Sequence, residues 1–340
     1  MFYILALLLL ITFVLPIASK KVEKNLEIFL FLVGVAASIT SGSLNGELLL
    51  KIAENKFMYI IAFAVLVGGF LFKRLNDYIE GAMEYILRRI PLKVFIFLLI
   101  VIIGLLSSIV TAIIAALLLV EIISLLPIDR SNKIKIDIVA CFSIGLGAVL
   151  TPIGEPLSTI VVSKLGASFW FLLNEFGIYI IPGILVLGVI GAGFGIQQKK
   201  EIDPADEIVV EETNSVIVIR ALKIFLFIIA LELLGEGFKP IIDNYILPLD
   251  TRYLYWVNMS SAVLDNATLA AAEISTKMTE TQVKAVLMGL LISGGMMIPG
   301  NIPNIISAGK LKIQSSEWIK LGIPLGIAIM LVYYVIIFVI

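Results

Sequence analysis

The sequence predicts an all-α polytopic membrane protein: two inverted repeats, each with a re-entrant hairpin and a broken helix, preceded by two N-terminal helices. Three observations lead there. The 340 residues are 60% hydrophobic and only 15% charged, with a mean hydropathy of +1.09, more apolar surface than a water-facing exterior accommodates. Apolar runs near the length of a bilayer crossing recur between polar punctuation. The order of elements from residue 57 to 196 also returns from 215 to 340. The balance of 25 Lys+Arg against 26 Asp+Glu leaves no basic tract for nucleic acid, so no nucleic-acid partner is expected. The single Cys141 rules out an internal disulfide and a thiolate metal cage. With no histidine, haem and zinc lose their usual ligand, and proton-linked chemistry falls to carboxylates or lysines. No cofactor is expected.

Residues 1–56 read as an N-terminal pair of transmembrane helices. Phe2 to Ala18 is apolar and is followed, not preceded, by Lys20-Lys21, which reads as a retained span with its N-terminus outside and not as a secretory signal. Leu26 to Gly42 is the second span, and Ser43 to Lys56 is polar. The first repeat covers 57–196. Phe57 to Phe72 spans, and Arg74 to Pro91 puts Leu75, Tyr78, Ile79, Met83, Ile86 and Leu87 on one face, the pattern of a helix lying in the interface. The stretch 92–127 is too long for one span and tight for two. Ser107-Ser108 and Thr111 interrupt it, so it reads as a hairpin with its tip at those hydroxyls, although two cramped spans also fit. Residues 136–164 form a span unwound at Thr151-Pro152-Ile153-Gly154-Glu155-Pro156. Phe169 to Ile196 crosses back, and 197–214 is a polar linker.

The second repeat covers 215–340. Ser215 to Leu234 spans and Gly235 to Leu249 lies at the surface. Residues 252–275 form a hairpin of two arms, each about 18 Å long as a helix and too short to cross, joined at Ser261 to Asn266. Residues 283–310 form a span broken at Pro299-Gly300-Asn301-Ile302-Pro303-Asn304, and the last span runs from Trp318 to Ile340. Three crossings per repeat is an odd number, so the second repeat enters from the opposite side. Aligning Ser107 with Ser261 places Thr111 on Asp265 and Ala116 on Ala270, while Gly154 pairs with Gly300 and Ser158 with Asn304. Of the 25 basic residues, 18 fall on the side reached after the first span, in clusters from Lys20 to Lys320. That side is expected to be cytoplasmic, which places the protein in the cell membrane as a multi-pass chain with both termini outside.

Ionisable groups at mid-membrane depth are functional candidates by default. Asp265 at the second tip and Glu155 in the first break are the two acids there, beside Ser107, Ser108 and Thr111 of the first tip and Ser261, Asn266 and Thr268 of the second. The breaks add Thr151, Ser158, Asn301 and Asn304, with Gly154, Pro156, Gly300 and Pro303 freeing backbone carbonyls. The set is rich in oxygen, acidic, and free of Arg and Lys, which suits a hard cation such as Na⁺. A carboxylate withdrawn from water can exchange a proton for such an ion. The half-helix N-termini after each break also offer an anion a place.

Together "TPIGEP" at 151–156, "SAVLDNATLAAA" at 261–272, and "IPGNIPNIISAG" at 298–309 followed by "EWIKLGIPL" at 317–325 resemble the ion transporter superfamily. That group includes NhaD-type sodium/proton antiporters, arsenite permeases and divalent-anion/sodium symporters. The likeness runs from about residue 57 to the end, and a small group of putative cation transporters looks nearest. It implies secondary active cation transport, with Na⁺/H⁺ antiport by rocking or elevator-like alternating access. It further implies Na⁺ binding by Asp265, Asn266 and Glu155, with Ser158 as a further cation ligand, and a homodimer in the lipid bilayer. The residues themselves show no metal-binding spacing, no histidine base and no evident Ser or Cys nucleophile setting, so no enzymatic activity is expected. The alternative is a Na⁺- or H⁺-coupled transporter of a small anion, a carboxylate or arsenite-like oxyacid.

Plainer roles compete for several of these residues. Glu155 suits an N-cap of the half-helix beginning at Pro156. Ser107, Ser108 and Thr111 suit back-bonding to helix carbonyls, and Asn301 and Asn304 suit turn chemistry. Glu121 reads as a snorkelling surface acid, Gly145, Gly147, Gly294 and Gly295 as helix-packing positions, and Trp170, Trp256 and Trp318 as interfacial anchors.

Overall fold

A computed structural model describes residues 1–23, 25–87, 89–195, 213–246, 249–263, 266–274 and 278–339. The described residues are all helix, turn and connection, with no strand among them. Most of the expected linker, 197–212, lies outside the described residues.

The N-terminal part holds α1 (Phe2–Ala18), α2 (Lys20–Glu23), α3 (Leu26–Ser41) and α4 (Gly46–Glu54). Gly42 closes α3 in the left-handed conformation at φ 79°, and Asn45 opens α4 by accepting from the Leu48 amide. Thus the polar stretch after the second apolar run contains a helix of its own. Next, α5 (Lys56–Leu87) is one unbroken helix of 32 residues, where the sequence suggested a span and a separate interfacial helix. Lys73 and Arg74 are good helix formers, and neither proline nor a cap interrupts the chain there.

Helix α6 (Leu92–Val110) and α7 (Ala112–Ser124) follow, joined at Thr111. The turn therefore falls after the serines, and Ser107 and Ser108 belong to the last turns of α6. At 19 residues α6 is itself long enough to cross a membrane, so the two arms are unequal. Asp129 caps α8 (Arg130–Ala148) through the Asn132 amide; the chain then unwinds until α9 (Pro156–Leu165), which Gly166 ends at φ 59°. Helix α10 (Phe171–Gly193) completes this part.

The second part opens with α11 (Asn214–Ile241), 28 residues that run past the expected span end and continue as a π turn, Ile242–Ile246. Then come α12 (Thr251–Val257), a 3₁₀ turn Asn258–Ala262, and α13 (Asn266–Glu273). A Thr279/Gln282 capping box starts α14 (Glu280–Gly294). After a second unwound stretch, α15 (Ile302–Leu311) and α16 (Ser315–Phe338) end the chain. Pro303 and Asn304, expected inside this break, sit in the first turn of α15, where a proline's missing amide is not needed.

The broken helices are the core. Every residue from Ile136 to Thr151 and from Ala285 to Gly300 is buried, so α8 and α14 are enclosed on all sides. Helices α6 and α10 pack on α8, and α12 and α16 on α14. Glycines permit this closeness: a Cβ on Gly147 would collide with the Gly104 carbonyl, and one on Gly322 would meet the Met296 carbonyl at 2.5 Å. Trp318 is fully buried, its Nε1 donating to the Gly295 carbonyl at 3.0 Å, so it is a core residue and not the expected interfacial anchor. Helix α3 lies along α11, tied by Ser38 Oγ to the Leu233 carbonyl at 2.9 Å. Three described helices, α6, α10 and α16, are long and apolar enough to cross a membrane. Ile178, Val189 and Val332 stand exposed on the last two, an apolar surface suited to lipid.

Candidate functional site

The two breaks are built alike. Helix α8 ends at Ala148 and α14 at Gly294, α9 starts at Pro156 and α15 at Ile302, a constant displacement of 146 residues. Gly154 folds back so closely on the Ala148 carbonyl that a Cβ would overlap it, and Gly300 does the same on the Gly294 carbonyl. Only glycine fits either place. Ser158 Oγ then donates to the Ala148 carbonyl at 3.4 Å, and Asn304 Nδ2 to the Gly294 and Met297 carbonyls at 2.8 and 2.9 Å. These side chains satisfy carbonyls that each helix end leaves without a donor. Glu155 (φ −156°, ψ 161°) and Asn301 (φ −154°, ψ 149°) hold the same extended N-cap position before the half-helices. Asn301 Oδ1 accepts from its own helix at Ile302 N, 2.8 Å away.

The tips dock onto these breaks. The Ala112 amide donates to the Gly154 carbonyl at 2.9 Å, and Thr151 Oγ1 to the Ser108 carbonyl at 2.5 Å. Ser107 Oγ reaches the Ile144 carbonyl on α8 at 3.1 Å, just as Ser261 Oγ reaches the Leu290 carbonyl on α14 at the same distance. Ser108 Oγ bonds back to the Leu105 carbonyl. The hydroxyls of Ser107, Ser108, Thr151, Ser158 and Ser261 are therefore directed at backbone carbonyls. At the first tip Thr111 takes φ 80°, ψ 150°, a conformation almost confined to glycine and costing on the order of 1–3 kcal/mol. A β-branched residue held there marks the tip as a strained point of the cavity wall.

Both breaks and both tip arms meet around one cavity of about 350 Å³, lined by Thr111, Ala112, Gly154, Glu155, Pro156, Asn266, Gly300 and Asn301 among others. Asn266 is 5% exposed and neither its Oδ1 nor its Nδ2 has a hydrogen-bond partner, an arrangement that costs stability unless a ligand completes it. Glu155 is 8% exposed and brings a carboxylate to the same space. The start of α9 and the start of α15 also face it. Among the described residues no three acidic or cysteine side chains gather to hold a metal ion. Any cation here would draw on amides, backbone carbonyls and single carboxylates.

Of the other expected site residues, Asp265 lies outside the described residues, immediately before Asn266. Thr268 lies on α13 and Pro303 on α15.

With these features in place, comparison with known families places the protein. The chain belongs to the family described as Protein of unknown function (DUF1646). The family profile matches residues 2–340, so it takes in both breaks, both tips and the N-terminal helices. Among curated proteins, none matches the chain.

Three further acids are buried in this DUF1646 chain; sequence reasoning passed over Asp137, left Glu273 without a role and took Glu121 for a surface residue. Asp137 on α8 is fully buried; its Oδ1 accepts from Ser307 Oγ at 2.9 Å, while its Oδ2 has no partner. It stands at the start of an apolar run, next to Lys133 and Lys135, and so reads as flanking charge. Glu273 is 2% exposed and accepts from Asn258 Nδ2 at 2.9 Å. Glu121, expected at the surface, is buried and paired with Lys310 at 2.9 Å. An acid within an apolar run was the available signal in each case.

Proposed function

We propose that the protein is a secondary active cation transporter of the cell membrane that exchanges Na⁺ for H⁺ by alternating access. The observation that carries this reading is the cavity where two helix breaks and two tip arms converge, holding Glu155 and an Asn266 amide with no partner of its own. Amide and backbone oxygens with one or two carboxylates suit a monovalent hard cation that must bind and leave. Asp265, the residue before Asn266, is the principal ion and proton ligand in this scheme; cation and proton compete for it, and reorientation carries one of them at a time.

An inverted repeat with two re-entrant tips supports the scheme. The constant displacement between the breaks and the matched serine bonds of Ser107 and Ser261 favour it. So does reciprocal packing: α7 of the first part lies against α15 of the second, and α13 of the second against α9 of the first. Swapping partners in this way is what a pseudo-two-fold axis in the membrane plane produces. The likeness to NhaD-type antiporters agrees with it, and the basic residues favour a multi-pass chain with both termini outside.

A second reading has its own observation. The N-termini of α9 and α15 both face the cavity, and two helix starts attract an anion. Against it, the Asn301 side chain already occupies the Ile302 amide. Purified protein in liposomes decides between them. An imposed Na⁺ gradient is expected to drive proton movement in the wild type and not in Asp265→Asn. Full exchange by that variant, or uptake of a carboxylate or arsenite without Na⁺/H⁺ exchange, defeats the antiport assignment.

A further inference from the structure

Two more cavities lie at opposite ends of α11. The first, about 550 Å³, borders its residues from Val216 to Phe227 and carries Lys223, Lys310 and Lys312 against Glu27. The second, about 620 Å³, borders its residues from Ile228 to Lys239 and the following turn, and carries Glu232, Glu236 and Asp243 against Lys51 and Lys239. Spacings of 4 and 7 residues put the three acids along one stripe of the helix. Each of the deeper two is held by the end of α4: Lys51 Nζ sits 2.5 Å from Glu236, and Asn55 Nδ2 donates to Glu232 at 2.5 Å.

Of these two, the acidic cavity continues into the site. It shares Ile61, Pro156, Thr159, Ala267 and Ile302 with the cavity that holds Asn266, whereas the basic cavity shares none of that lining. The partnerless amide of Asn266 is thus at the inner end of an acidic passage, and the basic passage borders the later turns of α15, from Ile305 on. Resting on the cation reading above, we infer that this conformation opens the site to one side only, through the vestibule along the C-terminal half of α11. Glu232 and Glu236 are the residues that draw a cation toward the site. Carboxylates lining a confined mouth raise the local concentration of cations and lower that of anions, and they act most strongly at low ionic strength.

Thr159 is exposed and borders both the vestibule and the site, which makes Thr159→Cys a reporter; the native Cys141 is buried. Gly309, exposed and bordering the basic cavity, serves as Gly309→Cys for the other end. Membrane-impermeant thiol reagents, one cationic and one anionic, are applied to either face of sealed vesicles. The expected result is modification of Thr159→Cys from one face and of Gly309→Cys from the other. The cationic reagent should modify Thr159→Cys at least about tenfold faster than the anionic one relative to a free thiol, as focusing by charged clefts allows. Glu232→Gln with Glu236→Gln should bring that ratio close to one, and Lys51→Gln, which removes the cation paired with Glu236, should raise it. Equal modification of Thr159→Cys from both faces, or a ratio that none of these changes moves, overturns the inference. If labelling behaves as stated while liposomes show no Na⁺/H⁺ exchange, the passage stands and the cargo assignment falls.

Discussion

Asn266 and Asn304 are the same residue type beside the same helix end, yet they do opposite things. Asn304 Nδ2 caps two buried carbonyls, Gly294 and Met297, whereas both polar atoms of Asn266 are buried with nothing to bond. Removing Asn304 strands two acceptors, so Asn304→Ala should cost about 1–3 kcal/mol for the groups left unsatisfied. Removing Asn266 loses no internal bond and relieves a desolvated amide. Asn266→Ala is therefore expected to keep or raise the melting temperature of purified protein in detergent, while the Na⁺ concentration for half-maximal exchange rises about tenfold, the equivalent of about 1.4 kcal/mol. If Asn266→Ala melts as low as Asn304→Ala and exchanges normally, its role is structural. The sequence could nominate both asparagines, Asn304 as an amide among prolines and a glycine and Asn266 as one beside an acid at a hairpin tip. It could not separate them, because which one meets a carbonyl depends on how far α14 runs before it unwinds.

At the scale of elements, close approach between helices is set by single glycines. Gly147 lies so near the Gly104 carbonyl that α6 and α8 must separate to admit a methyl group, and the Ser107 bond to the Ile144 carbonyl would stretch with them. Gly81, in the exposed part of α5, has open space around its Cβ position. Gly147→Ala is expected to lower the melting temperature and the yield of folded protein, whereas Gly81→Ala should stabilise by roughly 0.5–1 kcal/mol through helix propensity alone. Equal effects of the two would refute the packing argument. Local chemistry made several element ends readable: α1 and α3 start where their apolar runs start, α9 starts at its proline, and the short arms around Asn258–Ala262 follow from their length. Other features depend on partners distant in sequence. Helix α5 runs on through Lys73 and Arg74 because nothing local stops it, and Lys73 finds Asn214 at 2.8 Å. Trp318 is buried because Gly295 presents a carbonyl to it.

Across the whole molecule the two parts interlock through α7 with α15 and α9 with α13. Lys310 and Lys164 occupy equivalent positions near the ends of α15 and α9. Lys310 makes a buried ion pair with Glu121, while Lys164 Nζ reaches the Ile274 carbonyl at 3.4 Å. Lys310 borders the basic cavity, and the contact of α9 with α13 borders the acidic passage through Thr159 and Ala267. A buried ion pair that bridges the two parts biases the balance between two access states toward the one in which it is formed. Lys310→Met should be strongly destabilising, by about 3–5 kcal/mol, because it withdraws a charge partner from a buried carboxylate. Combining it with Glu121→Gln should recover most of that loss, since no uncompensated charge then remains. If the pair also holds this access state, the stable double variant will spend less time open through the vestibule, and Thr159→Cys in that background will react several-fold more slowly with thiol reagents from its own face. An unchanged rate in a double variant of normal melting temperature would mean that the pair stabilises the fold alone, and that the choice between access states is made elsewhere.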